Sequence, residues 1–469
     1  MKGPKTLLHA NQAGSVSLVS LIFVVVFSAL AVAMAAMSGT NVQMAKNQHN
    51  RDSASACAES GLEVLRYWLG GVAFTGVTAP GQRFEVLAGT VQNNLTVAGI
   101  SNVVPVLSGS TITISEVPIQ SESGRCFSAV LTKVSDDLVQ LDVTGHYRGV
   151  NRTLRSQHVF TTRADNVFDY GLASKGPMHL YGNLDVSSFN GLQVESNAFI
   201  VSPSSAVALT MEGKAAIGGS VTLTDATKLV DLQGGNVTIG GEKGAAALSH
   251  VGYNDGTVEF PEMHPELFYS YATNVVTPTT NLSGVTLDNI RIPAGLNPTF
   301  SGGTTLRGVI YIETPNVVTF GGGTTITGIV VTNGSSTYDP PPDSPTSPRI
   351  ILGSNVNSFS VSQLPPEPQF AGLQSQTGTF ILAPGFIVEM TGTFGVLNGA
   401  IGANGIVTSG NTSGTVRGSI INYSNNTMQL TGNGDLMFNR TGLAEVPAGF
   451  VPQTILRYDP STYSEVFGS

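Results

Sequence analysis

Ser15-Val16-Ser17-Leu18-Val19-Ser20-Leu21-Ile22-Phe23-Val24-Val25-Val26-Phe27 opens an apolar run that continues to Met37, and no Asp, Glu, Lys or Arg occurs between Lys5 and Lys46. Roughly 20 apolar residues at about 1.5 Å each cross the hydrocarbon core of a bilayer, so the spacing predicts a membrane helix over 15–37. The helical period then outlasts the greasy part. Ala58, Leu62, Leu65 and Leu69 recur at three and four residues, with Glu59, Glu63 and Arg66 on other faces, until Gly70-Gly71 ends the pattern. A single rod of about 80 Å is predicted, half in lipid and half outside it. Lys2 and Lys5 precede the span, which keeps the N-terminus cytoplasmic and sends everything after about residue 40 outward. A removed secretory signal is the competing reading, with Ala31–Ala36 as a small-residue cleavage stretch, but the run is longer than a signal core of about 7–15 residues.

Gln12-Ala13-Gly14, then Asn41-Val42-Gln43-Met44-Ala45-Lys46-Asn47-Gln48-His49-Asn50-Arg51-Asp52, then Ala56-Cys57-Ala58-Glu59-Ser60-Gly61-Leu62 carry a family likeness. Over about residues 10–70 the chain resembles the N-terminal domain of PilX-type minor pilins of type IV pilus assembly, with Met44, Ala45, Asn47, Gln48, Arg51, Ala58, Glu59, Ser60, Gly61 and Leu62 as the motif residues. The resemblance implies a prepilin-type leader, residues 1–14, cut by prepilin peptidase between Gly14 and Ser15. It implies a pilin-like helix over 15–70 that packs against other pilins or pseudopilins. One departure matters. Major pilins carry a glutamate at the fifth mature position, which here is Val19, so the resemblance points to a tip or low-copy subunit.

The chain as a whole is poor in charge (11%) and in aromatics (7%), rich in glycine (55) and acidic overall (net −9), which bounds the 400 or so residues after the helix. A basic nucleic-acid-binding stripe is missing, so no nucleic-acid partner is expected. Asn, Thr, Ser and Gly interleaved with β-branched residues predict strands and tight turns. Over 71–165 the strand candidates are Arg83–Leu87, Thr111–Glu116, Phe127–Val134, Leu138–Tyr147 and Arg152–Thr162, with Asp136-Asp137 as a hairpin turn. They predict a small antiparallel β-subdomain seated on the exposed half of the helix.

Beyond Asn166 one internal repeat stands out. Thr299-Phe300-Ser301-Gly302-Gly303-Thr304-Thr305-Leu306-Arg307-Gly308-Val309-Ile310-Tyr311 returns twenty residues later as Thr319-Phe320-Gly321-Gly322-Gly323-Thr324-Thr325-Ile326-Thr327-Gly328-Ile329-Val330-Val331. That return suits one rung of a right-handed parallel β-helix, predicted here as a solenoid over 166–440, with 441–469 as a C-terminal tail; a β-sandwich is the alternative. The proline-rich stretches 338–348 and 365–368 lack the backbone donors for a ladder and are read as excursions. The fold class expected is mainly β with a long N-terminal α-helix.

Little catalytic chemistry is legible. The seven histidines lack ligand spacing, so no metal and no cofactor is expected. Gly432-Asn433-Gly434-Asp435 and Asn254-Asp255-Gly256 are read as turns rather than calcium loops. Glu262, His264 and Glu266 lie between prolines in Phe260–Tyr269, where an extended chain would point neighbouring side chains apart; a crossing loop is expected. Cys57 and Cys126 are a candidate disulfide in an oxidising compartment, with a buried free thiol as the alternative. The expectation is therefore a non-enzymatic, inner-membrane-anchored pilin-like protein, presenting its extracytoplasmic part in a pilus or at the cell surface for adhesion or display. A non-polymerising membrane-anchored adhesin or envelope protein and an exported polysaccharide-active β-helix enzyme are the alternatives.

Overall fold

The computed structural model describes residues 12–75, 78–97, 99–100, 103–120, 124–253, 260–441 and 446–466; residues 1–11 of the expected leader and the turn expected at Asn254–Gly256 lie outside them. The chain divides into two compact units. One takes in the chain up to Phe74, Thr78–Thr161 and Ile455 onward, and the other Thr162–Thr454 with Thr75–Val77.

The first unit is built on helix α1 (Gln12–Gly70). A seven-stranded sheet packs on it in the order β1 (Ala73–Thr75), the closing strand Gln453–Val466, β6 (Val150–Arg163), β5 (Leu138–Tyr147), β4 (Arg125–Lys133), β3 (Thr111–Gln120) and β2 (Pro105–Ser108). The ladders β2–β3, β3–β4, β4–β5 and β5–β6 are all antiparallel, and the β4–β5 turn carries Asp136-Asp137 as expected. In β5, Val139, Leu141 and Val143 are fully buried while Gln140, Asp142 and Thr144 face outward, the period of a strand with one face on a core. Two expectations are corrected. Arg83–Leu87 is the first turn and a half of helix α2 (Arg83–Val97), because Phe84, Leu87, Ala88, Val91 and Leu95 bury one stripe at helical spacing and a five-residue window is too short to reveal it. The segment read as a tail contains the closing strand, which returns to pair with β6.

The second unit is thus inserted in the chain between two neighbouring strands of that sheet. It consists of a 12-stranded and a 14-stranded sheet, in which, Ile239 against Glu242 apart, the strand pairs are parallel. Like stacks on like. Thr305–Ile312 pairs with Thr325–Thr332 residue for residue at an offset of twenty, and Phe300 stacks on Phe320 at 5.3 Å and 15°. The chain passes repeatedly from one sheet to the other, so each turn covers the apolar edge of its neighbour.

The order of the 12-stranded sheet has a further feature. Leu172–Ser174, the first of its strands in chain order, lies in its interior, between Ala198–Ile200 and Ile420–Asn422. From there the chain winds out to Val251–Tyr253 at one edge, resumes at Asn274–Val275 at the opposite edge, and winds back until its last turn stacks on its first. The segment through Phe260–Tyr269 therefore makes the crossing expected of it, and Met263 and Phe268 pack on the outer face of that sheet beside Phe199, Val309, Tyr311, Val331 and Leu382. Covered on both faces, this sheet carries unbroken buried runs such as Thr379–Ala383; the other sheet alternates, as in Val317–Phe320. Residues 338–348 form no strand and are held by Arg349, which donates to the Pro342 carbonyl at 2.7 Å and pairs with Glu389.

Candidate functional site: the N-terminal helix and its seat

Helix α1 changes character along its length. From Val16 to His49 every residue is exposed, and the large apolar ones among them include Leu21, Phe23, Val25, Phe27, Leu30, Met34 and Met44. One uncharged window here is long and apolar enough to cross a membrane. The few hydroxyls inside it are internally satisfied: Ser20 donates to the Val16 carbonyl at 2.8 Å and Thr40 to the Ala36 carbonyl at 3.0 Å, which suits a medium without water. Gly14 and Ser15 lie in the first turn of α1 and Val19 is half exposed.

From Asn50 onward one stripe goes under. Asn50, Ser53, Ala54, Cys57, Ala58, Gly61, Leu62, Leu65 and Leu69 are buried at three- and four-residue spacing against the sheet. The seat is made by absent side chains. A Cβ on Gly145 of β5 would stand 2.1 Å from the Ala54 carbonyl oxygen and 2.4 Å from the Ala58 nitrogen, and one on Gly61 would stand 2.5 Å from the Phe127 ring. Helix backbone and strand backbone therefore touch at Gly145, and Gly61 makes room for the Phe127 ring, which only glycine at these two points permits. Among the motif residues Ala58, Gly61 and Leu62 are buried in this seat, whereas Met44, Ala45, Asn47, Gln48, Arg51, Glu59 and Ser60 are exposed, Gln48 donating to Asp52 at 2.8 Å. Gly145 carried no signal in the sequence because its partner is some 90 residues away.

Cys57 and Cys126 are brought together, α1 against β4, with the Cys57 thiol hydrogen-bonded at the Cys126 backbone. Both are free thiols, so the disulfide considered for them is not formed. Burial pushes both thiols up; Arg125 offsets this partly for Cys57, and Glu116 adds to it for Cys126. Thiolate, the form that oxidises, is thereby suppressed.

Near the C-terminal end of α1, residues that the sequence did not single out form a cavity of about 350 Å³ lined by Glu63, Arg66, Tyr67, His158 and Tyr458. His158 is 1% exposed and neither ring nitrogen has a hydrogen-bond partner. Burial, with the Arg66 guanidinium adding to it, holds its pKa down to about 4. Arg66 lies over the Tyr458 ring at 4.3 Å and pairs with Glu63 at 2.6 Å.

In the inserted unit Glu262, His264 and Glu266 do not point apart. A 3-10 helix over Pro265–Tyr271 turns the chain, so His264 meets Glu266 at 2.5 Å and Glu262 at 3.7 Å. Asp435 stacks on Asp185 and Asn433 on Asn183, the amide pair at 2.8 Å; burial and the facing Asp435 push the Asp185 carboxyl up. Among the described residues no three His, Cys, Asp or Glu side chains converge as metal ligands.

No protein-family model matches the sequence, and a search of curated proteins finds no relative. Among solved structures, the chain is similar to the crystal structure of the competence-associated pilin ComZ from Thermus thermophilus, with 11% identity and a TM-score of 0.24 over 90% of this chain and 98% of that one. The fold described above rests on the strand pairing, not on that likeness.

Proposed function

We propose that this chain is a pilin-like structural subunit of the PilX kind, cleaved between Gly14 and Ser15 by prepilin peptidase and held in the inner membrane by the bare half of α1. The observation that carries the reading is the division of that helix. Its apolar N-terminal half has no cover of its own, while its C-terminal half is locked into a small sheet by Gly61 and Gly145. An uncovered greasy half is suited first to lipid and then to the helices of other pilins or pseudopilins, where dispersion contacts replace lipid tails. Val19 places no charge in that packing, which favours a low-copy or tip position over a bulk fibre role.

The inserted unit, on this reading, is a right-handed parallel β-helix; the hand follows from the near-universal handedness of parallel strand crossovers. Its work is to be displayed outside the cytoplasm for adhesion, with no turnover of a substrate. A solenoid suits display because each turn contacts only its neighbours, leaving a long surface unused by the fold. Co-purification tests the assembly part: the chain is expected with sheared surface fibres and to be lost from them when Leu21, Val25 and Phe27 are replaced by serine. Recovery of all of it in the membrane pellet, with none in fibres, would sink the assembly reading.

A further inference from the structure

We infer that a cleft in the inserted unit, walled by Lys175, Phe260 and Glu262, is a binding site for a neutral polyhydroxylated ligand, a hexose unit of a glycan. The cavity holds about 350 Å³ and is lined by Asp165, Asn425 and Gln453 besides those three, with valines and prolines between them. It is at the small end of ligand cavities, and its few converging polar groups on an apolar lining are the usual composition of one.

Its position follows from the way the chain winds back. Lys175 follows strand Leu172–Ser174, Val201 follows Ala198–Ile200, and Asn425 stands three residues past Ile420–Asn422, so three stacked turns present their C-terminal ends at one corner. This is where the outward and returning windings meet, and the crossing segment supplies the facing wall, Phe260 to Glu262. The parts are fixed. Lys175 is tied through its N–H to the Asn422 carbonyl at 2.9 Å and through its carbonyl to the Ser202 N–H at 2.8 Å. Its ammonium lies 5.3 Å from the Phe260 ring centre and 5.1 Å from that of Tyr423, whose hydroxyl donates to the Pro261 carbonyl at 2.7 Å.

Charge selects the ligand. Asp165 is 3% exposed and its carboxylate already accepts from the Val167 N–H at 3.2 Å, so the open lining sets one carboxylate, Glu262, against one ammonium, Lys175, and a net charge of either sign gains nothing from the balance. A cation meets Lys175 between its aromatic faces, where burial already works against a second positive charge. What is left is a molecule with many hydroxyls: the exposed Glu262 carboxylate accepts from them, the Lys175 ammonium donates, and Phe260 packs against the C–H face of a ring.

This deepens the display reading, on which it rests only for where a glycan would be met; binding is measurable whether or not the chain enters a fibre. Saturation-transfer NMR on the full chain, in a zwitterionic detergent free of sugar head groups, would use glucose, galactose and N-acetylglucosamine as neutral probes, with galacturonate and glucosamine as charged ones. At least one neutral sugar is expected to receive saturation, its affinity falling at least about tenfold in Glu262→Gln and in Phe260→Ala, and the charged analogue of each sugar is expected to bind more weakly. The Glu262 side chain is 72% exposed, so Glu262→Gln keeps the test decisive if Phe260→Ala unfolds. Absence of transfer to every neutral sugar, tighter binding of the uronate or the amine, or unchanged affinity in Glu262→Gln would overturn the inference.

Discussion

In the sheet seated on α1, β5 runs antiparallel to both neighbours and buries every second residue against the helix, whereas in the inserted unit Thr305–Ile312 runs parallel to Thr325–Thr332 and sets like on like across an offset of twenty. The first arrangement is held by one close approach between unlike elements. The second is held by repetition, in which Phe300 covers Phe320 and each turn borrows its neighbour's cover. A fault should therefore act in the first unit through that one close approach and in the second through the turns stacked on it, and the two should melt separately.

Four perturbations break or sharpen that contrast. Phe320→Ala empties a fully buried site and is expected to cost about 4 kcal/mol, read as a lowered midpoint of the inserted unit's transition in calorimetry with the other transition unmoved. Oxidising Cys57 and Cys126 with oxidised glutathione would close a loop of about 70 residues and raise the first unit's stability by roughly 4 kcal/mol in the chain-entropy model. Non-reducing mass spectrometry detects the bond, and a denaturant midpoint the gain. Gly145→Ala, which drives a methyl into the Ala54 carbonyl, should lower the first transition by about 3 kcal/mol and leave the second alone.

Acid gives the smallest of the four at ordinary pH. His158 is neutral when folded, with its pKa held near 4, and protonates nearer 6.5 once unfolded. The unfolded chain thus binds the extra proton first, so stability is intact above about pH 6.5 and declines as pH falls towards 4, by a total on the order of 3 kcal/mol. His158→Gln should flatten that slope in urea titrations run across the interval; an unchanged slope would assign the acid sensitivity elsewhere.

How far the sequence could be read follows from the range of each interaction. The long N-terminal helix, the alternation in β5 and the Phe300/Phe320 repeat are patterns within one window, and each was legible. Helix α2 was misread because five residues, Arg83–Leu87, show too little of a 3.6-residue period. The return of Gln453–Val466 to the first sheet, and the stacking of Met428 on Met178, join residues about 250 or more apart and leave no local trace. The motif glycine Gly61 was visible, but the reason for it was not, since the Phe127 ring it makes room for lies in β4. Likewise His158 sits in a plain alternating strand, and only burial makes it distinctive.

The division of α1 into a bare half and a seated half is what the functional reading depends on, and the mass of the native chain extracted from cell envelopes tests it most directly. The account predicts a mature chain beginning at Ser15, membrane-bound, with the whole of Val16–Met37 retained. A soluble chain beginning near Ala36, with that segment gone, would contradict it.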